Sequence, residues 1–129
     1  MYAEKVLDTN SGVAGSDIKK GVAVTLNSTG KIVPAANNKK TLGVSTKAVK
    51  SGKVASYALN GSLINAVADG SGTAIAIGDN VGPGADDGTL VKKTLATDSV
   101  VGTARSATSS SAGTIFLEVN INSLGTLTI

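Results

Sequence analysis

The stretch LGVSTKAVKSGKVASYALNG, residues 42–61, decides how this chain folds. Small apolar and polar residues alternate along it on both sides of Ser51-Gly52, which is the pattern of two half-buried strands joined by a tight turn. A second stretch, VGTARSATSSSAGTIFLEVN at residues 101–120, has nearly the same pattern. The sequence therefore predicts that one kind of hairpin is built twice.

The composition points to a small protein made of sheets. At 129 residues the chain is long enough for one domain, and its 41% hydrophobic content is almost all aliphatic, with aromatic residues at 2%. The 16 glycines indicate frequent turns. No window of eleven or more residues keeps a helical period with helix caps. We predict an all-β fold, a compact β-barrel or β-sandwich with extended terminal arms.

Two parts of the chain share one order of elements. Residues 21–61 and 78–121 each begin with glycine and a strand, continue through a polar turn and a lysine pair, and end in a glycine turn and an outgoing strand. The matched glycines are Gly21 and Gly78, Gly30 and Gly88, Gly43 and Gly102, and Gly52 and Gly113. Two such half-units bury their apolar faces against each other. Duplication and convergent use of short strands and turns both account for this order.

The charges are distributed unevenly. Residues 17–60 hold eight lysines and one aspartate, a net charge of +7, whereas residues 61–129 hold three cations and six carboxylates, a net charge of −3. One interpretation is that these residues are solvated faces of exposed strands. The other is a polarised subunit that meets copies of itself or an acidic surface.

The residue types exclude most kinds of catalysis. The chain has no histidine and no cysteine, so the usual general base, thiol nucleophile and transition-metal ligands are missing. Serines and lysines that neighbour one another in residues 45–56 could form a catalytic Ser–Lys pair. Such neighbours are expected by chance in a strand region that is rich in both residues. STGK, residues 28–31, lacks the spacing of a phosphate-binding loop, and GADDG, residues 84–88, lacks the ligand series of a calcium loop. We expect no enzyme activity, cofactor or bound metal.

Nucleic acid and membrane partners are not expected either. The basic part of the chain lacks the interleaved aromatic residues of a stacking platform. The N-terminal sequence has no apolar core of a signal peptide, and no apolar run has membrane-spanning length. We therefore expect a soluble protein that is made in a cytoplasm.

Several short motifs resemble the small β-rich capsid cement, or decoration, proteins of tailed bacteriophages. They are SGTAIAIGDNV, GTLVKK, VVGTA and AGTIFLEVNI, preceded by GSDIKKGVAVTLNSTGKIV and LGVSTKAVKSGKVASYALNGSL. The resemblance covers residues 12–122 and lies in the order and spacing of the motifs. The chain departs from the family in having GPGADDG where an aromatic residue often follows Gly-Asp-x-Val, and in its extra tail SLGTLTI.

The resemblance implies a β-barrel or β-tulip subunit, usually a homotrimer, that adds to the outside of a matured capsid. We accordingly expect a structural virion protein that is made in the host cytoplasm, binds the major capsid protein on the outer surface and stabilises the shell. One alternative is a phage surface fibre or adhesin-type binding domain. Another is a carrier domain like biotinyl domains, for which Lys50 or Lys53 beside Gly52 is the only candidate for modification.

The ends of the chain and the lysines are the candidate contact residues. We divide the chain into an N-terminal arm, residues 1–16, a β-barrel decoration domain, residues 17–122, and a C-terminal tail, residues 123–129. The arm carries apolar residues outside both half-units, and we expect it to pair with another subunit or with the capsid shell. The predicted partner contacts are Tyr2, Val6, Leu7, Lys39, Lys40, Lys47, Lys50 and Lys53.

Overall fold

Alternating short side chains and frequent turns produce a succession of short strands. The computed structural model describes residues 3–85, 88–95 and 98–122. The strands are β1 (Thr9–Val13), β2 (Ala23–Leu26), β3 (Ile32–Pro34), β4 (Gly43–Ser45), β5 (Val54–Ala58), β6 (Leu63–Ala68), β7 (Asn80–Pro83), β8 (Leu90–Lys92), β9 (Val100–Ala104) and β10 (Gly113–Asn122). These ranges contain no helix, and therefore none that is long and apolar enough to cross a membrane. The all-β prediction is confirmed.

The strands form two sheets of five. The first has the order β1-β5-β4-β2-β3, and the second, β10-β6-β8-β7-β9, closes into a barrel. Neighbouring strands are antiparallel except β6 and β8, which pair in parallel at Ala68 and Leu90. In the first sheet, a parallel bridge between Ala14, just after β1, and Ile32, in β3, joins the two outer strands. Each sheet is thus drawn into a ring by one parallel contact.

The second sheet repeats the first. Strands β1 to β5 pair with one another in the same order as β6 to β10, including the parallel contact that closes each ring. The register agrees as well, since Val24 lies opposite Gly43 in the first sheet and Val81 lies opposite Gly102 in the second. The prediction of two similar half-units is confirmed. We call β1–β5 the first half-unit and β6–β10 the second.

The half-units begin one strand earlier than the sequence predicted. The predicted ranges, residues 21–61 and 78–121, leave out β1 and β6, each of which pairs with the last strand of its own half-unit. The match of Gly52 with Gly113 was wrong by one position, because the register makes Lys53 the equivalent of Gly113.

Aliphatic side chains fill two clusters. The larger contains residues of both half-units, among them Val44 and Ala58 from the first and Ile64 and Leu117 from the second. The smaller lies within the first half-unit, around Ile32, with Val67 of the second packed against it. The two half-units therefore share the larger apolar cluster.

The predicted N-terminal arm contains the first strand, β1. Thr9–Val13 lies within the residues assigned to an N-terminal arm, and it pairs with β5 over five register positions. The tail, residues 123–129, lies outside the described residues. The division into arm, barrel domain and tail stays a prediction.

Candidate interaction surface

The N-terminal segment lies against the start of β6 in the same chain. Lys5 and Leu63 exchange two backbone hydrogen bonds, each 2.8 Å long. Val6 and Leu7 follow with 39% and 58% of their surfaces exposed, so both predicted contact residues face solvent. Tyr2 lies outside the described residues. The predicted pairing of this arm with another subunit or with the shell stays a prediction.

A carboxylate holds the segment in place. Glu4 Oε2 lies 2.6 Å from Lys20 Nζ and accepts a 2.8 Å hydrogen bond from the Asn65 backbone N–H on the outer edge of β6. Partial burial raises the pKa of Glu4, but the hydrogen bonds from Lys20 and Asn65 outweigh it, so the pKa lies below its ordinary value. Sequence reasoning missed Glu4, because only the fold brings it to residue 65.

Three predicted contact lysines lie on the hairpin between β4 and β5. Lys47, Lys50 and Lys53 are all exposed. The turn reverses at Gly52, which has a φ of 87°, a left-handed conformation that glycine adopts without strain. Of these lysines, only Lys50 forms an ion pair in the described part of the chain, a 3.5 Å contact with Asp17.

A cavity opens beside this hairpin. It has a volume of about 420 Å³ and lies where an antiparallel bridge joins Ile18 to Val49. Its lining residues are Asp17, Ile18, Lys19, Lys20, Ala48, Val49 and Lys50. Lys19 and Lys20 contribute to the net charge of residues 17–60, but their place beside the hairpin was not predictable, because the bridge from Ile18 to Val49 joins residues that are distant in the chain. The result is a basic rim around a partly apolar floor.

The other two predicted lysines lie elsewhere. Lys39 and Lys40 precede β4, whereas the hairpin lysines follow it, so the two groups lie at opposite ends of that strand. Both side chains are exposed, but the Lys39 carbonyl accepts a 2.8 Å hydrogen bond from Ser99 Oγ of the second half-unit. The structure therefore does not bring the five lysines together in one patch.

A polar junction joins the half-units at this loop. Asn38 Nδ2 donates to Asp98 Oδ1 at 3.1 Å, and the Ser99 N–H donates to Asn38 Oδ1 at 3.0 Å. Hydrogen bonds from the N–H of Leu95 and from Asn38, with the nearby Lys93 charge, lower the pKa of Asp98 despite some burial. Asn38 adopts a φ of 59°, which asparagine tolerates better than most residues. The junction is a preorganised contact between two loops of equivalent position.

A second contact between the half-units is made by backbone alone. The tip of the β7–β8 turn, at Gly88, accepts a hydrogen bond from the Ala23 N–H at 2.9 Å and donates one to the Ala35 carbonyl at 2.7 Å. A Cβ placed on Gly88 would lie 2.7 Å from the Ala23 oxygen and 2.8 Å from Val22 Cβ. Only glycine fits here, and we call Ala23 and Ala35 the socket of the first half-unit.

The described part of the surface carries no clustered metal ligands. Among the described residues, no three side chains of His, Cys, Asp or Glu lie close enough together to hold a metal ion. Asp86 and Asp87 of the GADDG turn lie outside those residues. What the described surface offers is a rigid arrangement of exposed lysines, an anchored N-terminal segment and two hairpin tips, which can make contacts with a macromolecule.

Comparison with known proteins finds a likeness among solved structures. No protein-family model matches the sequence, and no curated protein matches it. Among solved structures, the chain is similar to the N base of head fibre gp8.5 of bacteriophage phi29. The match covers 88% of this chain and 93% of that chain, with a TM-score of 0.65 and 23% sequence identity. At this identity the likeness establishes a shared fold.

Proposed function

We propose that this chain is a structural protein of a phage virion that decorates the outside of the capsid and stabilises the shell. The observation that carries the proposal is the likeness to a phage head fibre base over nearly the whole of both chains. The resemblance of the ordered motifs to capsid decoration proteins supports it independently. On this proposal the partner is the major capsid protein, the subunit is a homotrimer, and no catalysis, cofactor, nucleic acid or membrane is involved.

The structure supports a means of attachment. Two half-units that share an apolar interior and two loop contacts form a rigid body, so little conformational entropy is lost on binding. The hairpin lysines and the cavity rim present positive charge at one end of β4. We propose that this end faces acidic residues of the shell. Each contact is weak, but several attachment points per oligomer raise the effective concentration of the remaining ones.

The second candidate is a fibre base. The solved structure is itself part of a head fibre, so the same likeness also supports a chain that anchors a longer fibre. We expect a cement protein to raise the temperature at which capsids open, and a fibre base to attach without this effect. The opening temperature of capsids with the protein bound therefore separates the two candidates.

Co-sedimentation with purified capsids tests the proposal. We expect the protein to pellet with capsids, to saturate at a fixed number of copies, and to raise the temperature at which the capsids open. The triple variant Lys47→Ser, Lys50→Ser, Lys53→Ser should bind less, and Lys39→Ser, Lys40→Ser from the other end of β4 is the matched control. Pelleting no greater than that of an unrelated protein of similar charge would reject the proposal.

A further inference from the structure

Among the described residues the contact at the socket is made once, although its parts are present twice. The Gly88 tip of the second half-unit fills the socket of the first. By register, the equivalents of Ala23 and Ala35 in the second half-unit are Asn80 and Lys93. The equivalent of the Gly88 tip is the β2–β3 turn around Gly30. One tip and one socket are therefore left over, on opposite half-units.

The unused tip shares a left-handed glycine and a closing hydrogen bond with the used one, although its turn is one residue shorter. Gly30 has a φ of 79° and Gly88 a φ of 75°. The base of each turn is closed by an equivalent 2.9 Å bond, from the Asn27 N–H to the Lys31 carbonyl in one and from residue 84 to residue 89 in the other. The Asn27 side chain accepts three further hydrogen bonds within its turn. No heavy atom lies within 4 Å of a Cβ placed on Gly30, so this tip is rigid and open.

The unused socket offers the same backbone groups. Lys93 N–H donates to the Asn80 carbonyl at 2.8 Å, as Ala35 N–H does to the Ala23 carbonyl at 2.9 Å. The N–H of a strand residue points to the same side as its carbonyl, so the Asn80 N–H faces the position that Gly88 fills in the first half-unit. Within the described residues, neither the Asn80 N–H nor the Lys93 carbonyl has a hydrogen-bond partner.

Exposed apolar side chains flank both unused parts. Leu26, at the base of the free tip, is 51% exposed, whereas its equivalent Pro83, at the base of the docked tip, is fully buried. Ile77 and Leu95 are 72% and 67% exposed, the highest values among the large hydrophobic residues described. They lie three residues before Asn80 and two after Lys93. A contact that buried these side chains would gain the free energy of removing their apolar surface from water.

We propose that copies of this chain associate head to tail, with the β2–β3 tip of one copy seated against Asn80 and Lys93 of the next. The contact brings the basic first half-unit of one copy to the second half-unit of its neighbour, whose part of the chain carries net negative charge. A contact between two different surfaces closes into a ring or extends into a filament. The number of three subunits in the ring depends on the proposed function. The contact between tip and socket does not depend on it.

Light scattering coupled to size exclusion tests the contact on the purified protein alone. The wild type should give about three times 12.7 kDa. Gly30→Asn keeps the left-handed turn, which asparagine tolerates, but its Cβ would meet the socket as a Cβ on Gly88 would, so this variant should run at the monomer mass. The matched control is Gly52→Asn, at another open, left-handed turn glycine, and it should keep the wild-type mass.

A mixing experiment defines the polarity of the contact. Leu95→Glu places a charge beside the socket and leaves the tip unchanged. Gly30→Asn blocks the tip and leaves the socket unchanged. Each variant alone should be monomeric, and an equal mixture should form a pair and nothing larger. A wild type that stays monomeric, a Gly30→Asn variant of wild-type mass, or loss of association in Gly52→Asn as well would each overturn the proposal. None of these outcomes bears on whether the protein binds capsids, which co-sedimentation measures separately.

Discussion

Asn38 and Asp98 lie sixty positions apart in the chain and are joined by a 3.1 Å side-chain hydrogen bond. The bond links two loops of equivalent position, β3–β4 in the first half-unit and β8–β9 in the second. It also fixes Asn38 in a left-handed conformation, with a φ of 59°. A change at this residue therefore acts on the junction and on the backbone together.

Asn38→Ala should lower the free energy of unfolding by about 3 kcal/mol, from two lost hydrogen bonds of ~1 kcal/mol each and ~1 kcal/mol of left-handed strain. Asn38→Gly removes the same hydrogen bonds without the strain, so it should cost about 2 kcal/mol. Urea unfolding followed by circular dichroism measures both. Equal stability of Asn38→Ala and the wild type would show that the junction contributes nothing.

Gly88→Ala and Gly30→Ala form a matched pair. Both introduce a side chain at a left-handed glycine, at a shared cost of roughly 1–2 kcal/mol. The Cβ at Gly88 also meets the Ala23 carbonyl at 2.7 Å, whereas the space at Gly30 is open. Overpacking should therefore make Gly88→Ala the worse variant by about 1–3 kcal/mol. Equal losses in thermal unfolding, measured at a concentration at which both variants are monomeric, would contradict the packing of Gly88 against Ala23.

The stability contribution of Glu4 should depend on pH. Its pKa in the folded chain lies below the ordinary value of 4.5, so the carboxylate stabilises the folded state above that value and the contribution is lost as the pH falls through the lowered pKa. Glu4→Gln should be less stable than the wild type at neutral pH, by ~0.5 kcal/mol for a partly exposed pair.

The difference between Glu4→Gln and the wild type should disappear below the folded pKa. Denaturant unfolding across the acid range measures it. Glu118→Gln, which removes the exposed ion pair with Arg105, is the matched surface control. A Glu4→Gln deficit that persists at the lowest pH would mean that the ionised carboxylate is not what anchors the N-terminal segment.

Capsid attachment through the hairpin lysines should weaken as salt rises. The Debye length falls from ~10 Å at 0.1 M to ~3 Å at 1 M salt, which screens exposed charges. Lys39→Ser with Lys40→Ser should leave the fold intact, because the contact of Lys39 with Ser99 is made by its backbone carbonyl. Bound fractions in a salt series measure the effect. Attachment that does not respond to salt would leave these lysines as solvated side chains.

The fold class was predictable because alternation and turn residues act locally. The repeat was visible in the spacing of glycines that close turns, such as Gly30 and Gly88. Its true start was not, because β1 reads TNSGV, which lacks the alternation of the other strands. A strand of this kind forms because β5 offers it an edge, and the sequence gives no local sign of that edge.

The surface was less predictable than the fold. The number of lysines identified the basic half of the chain. It did not show that Lys40 precedes β4 and Lys47 follows it, which places the two residues at opposite ends of the strand. Nor did it identify Glu4, whose partner Asn65 lies 61 positions away. Contacts at such separations depend on how the two half-units meet, and local residue patterns do not encode that arrangement.

The anchoring of the N-terminal segment has a consequence for the order of events during synthesis. Leu7 donates to a hydroxyl 55 positions later, and Glu4 accepts from an amide 61 positions later. Residues 4–7 leave the ribosome before Ser62 and Asn65 have been made. They can form these hydrogen bonds only once β6 is present. Closure over such long loops is slow, so the segment that is translated first reaches its final place only after more than sixty residues have been made.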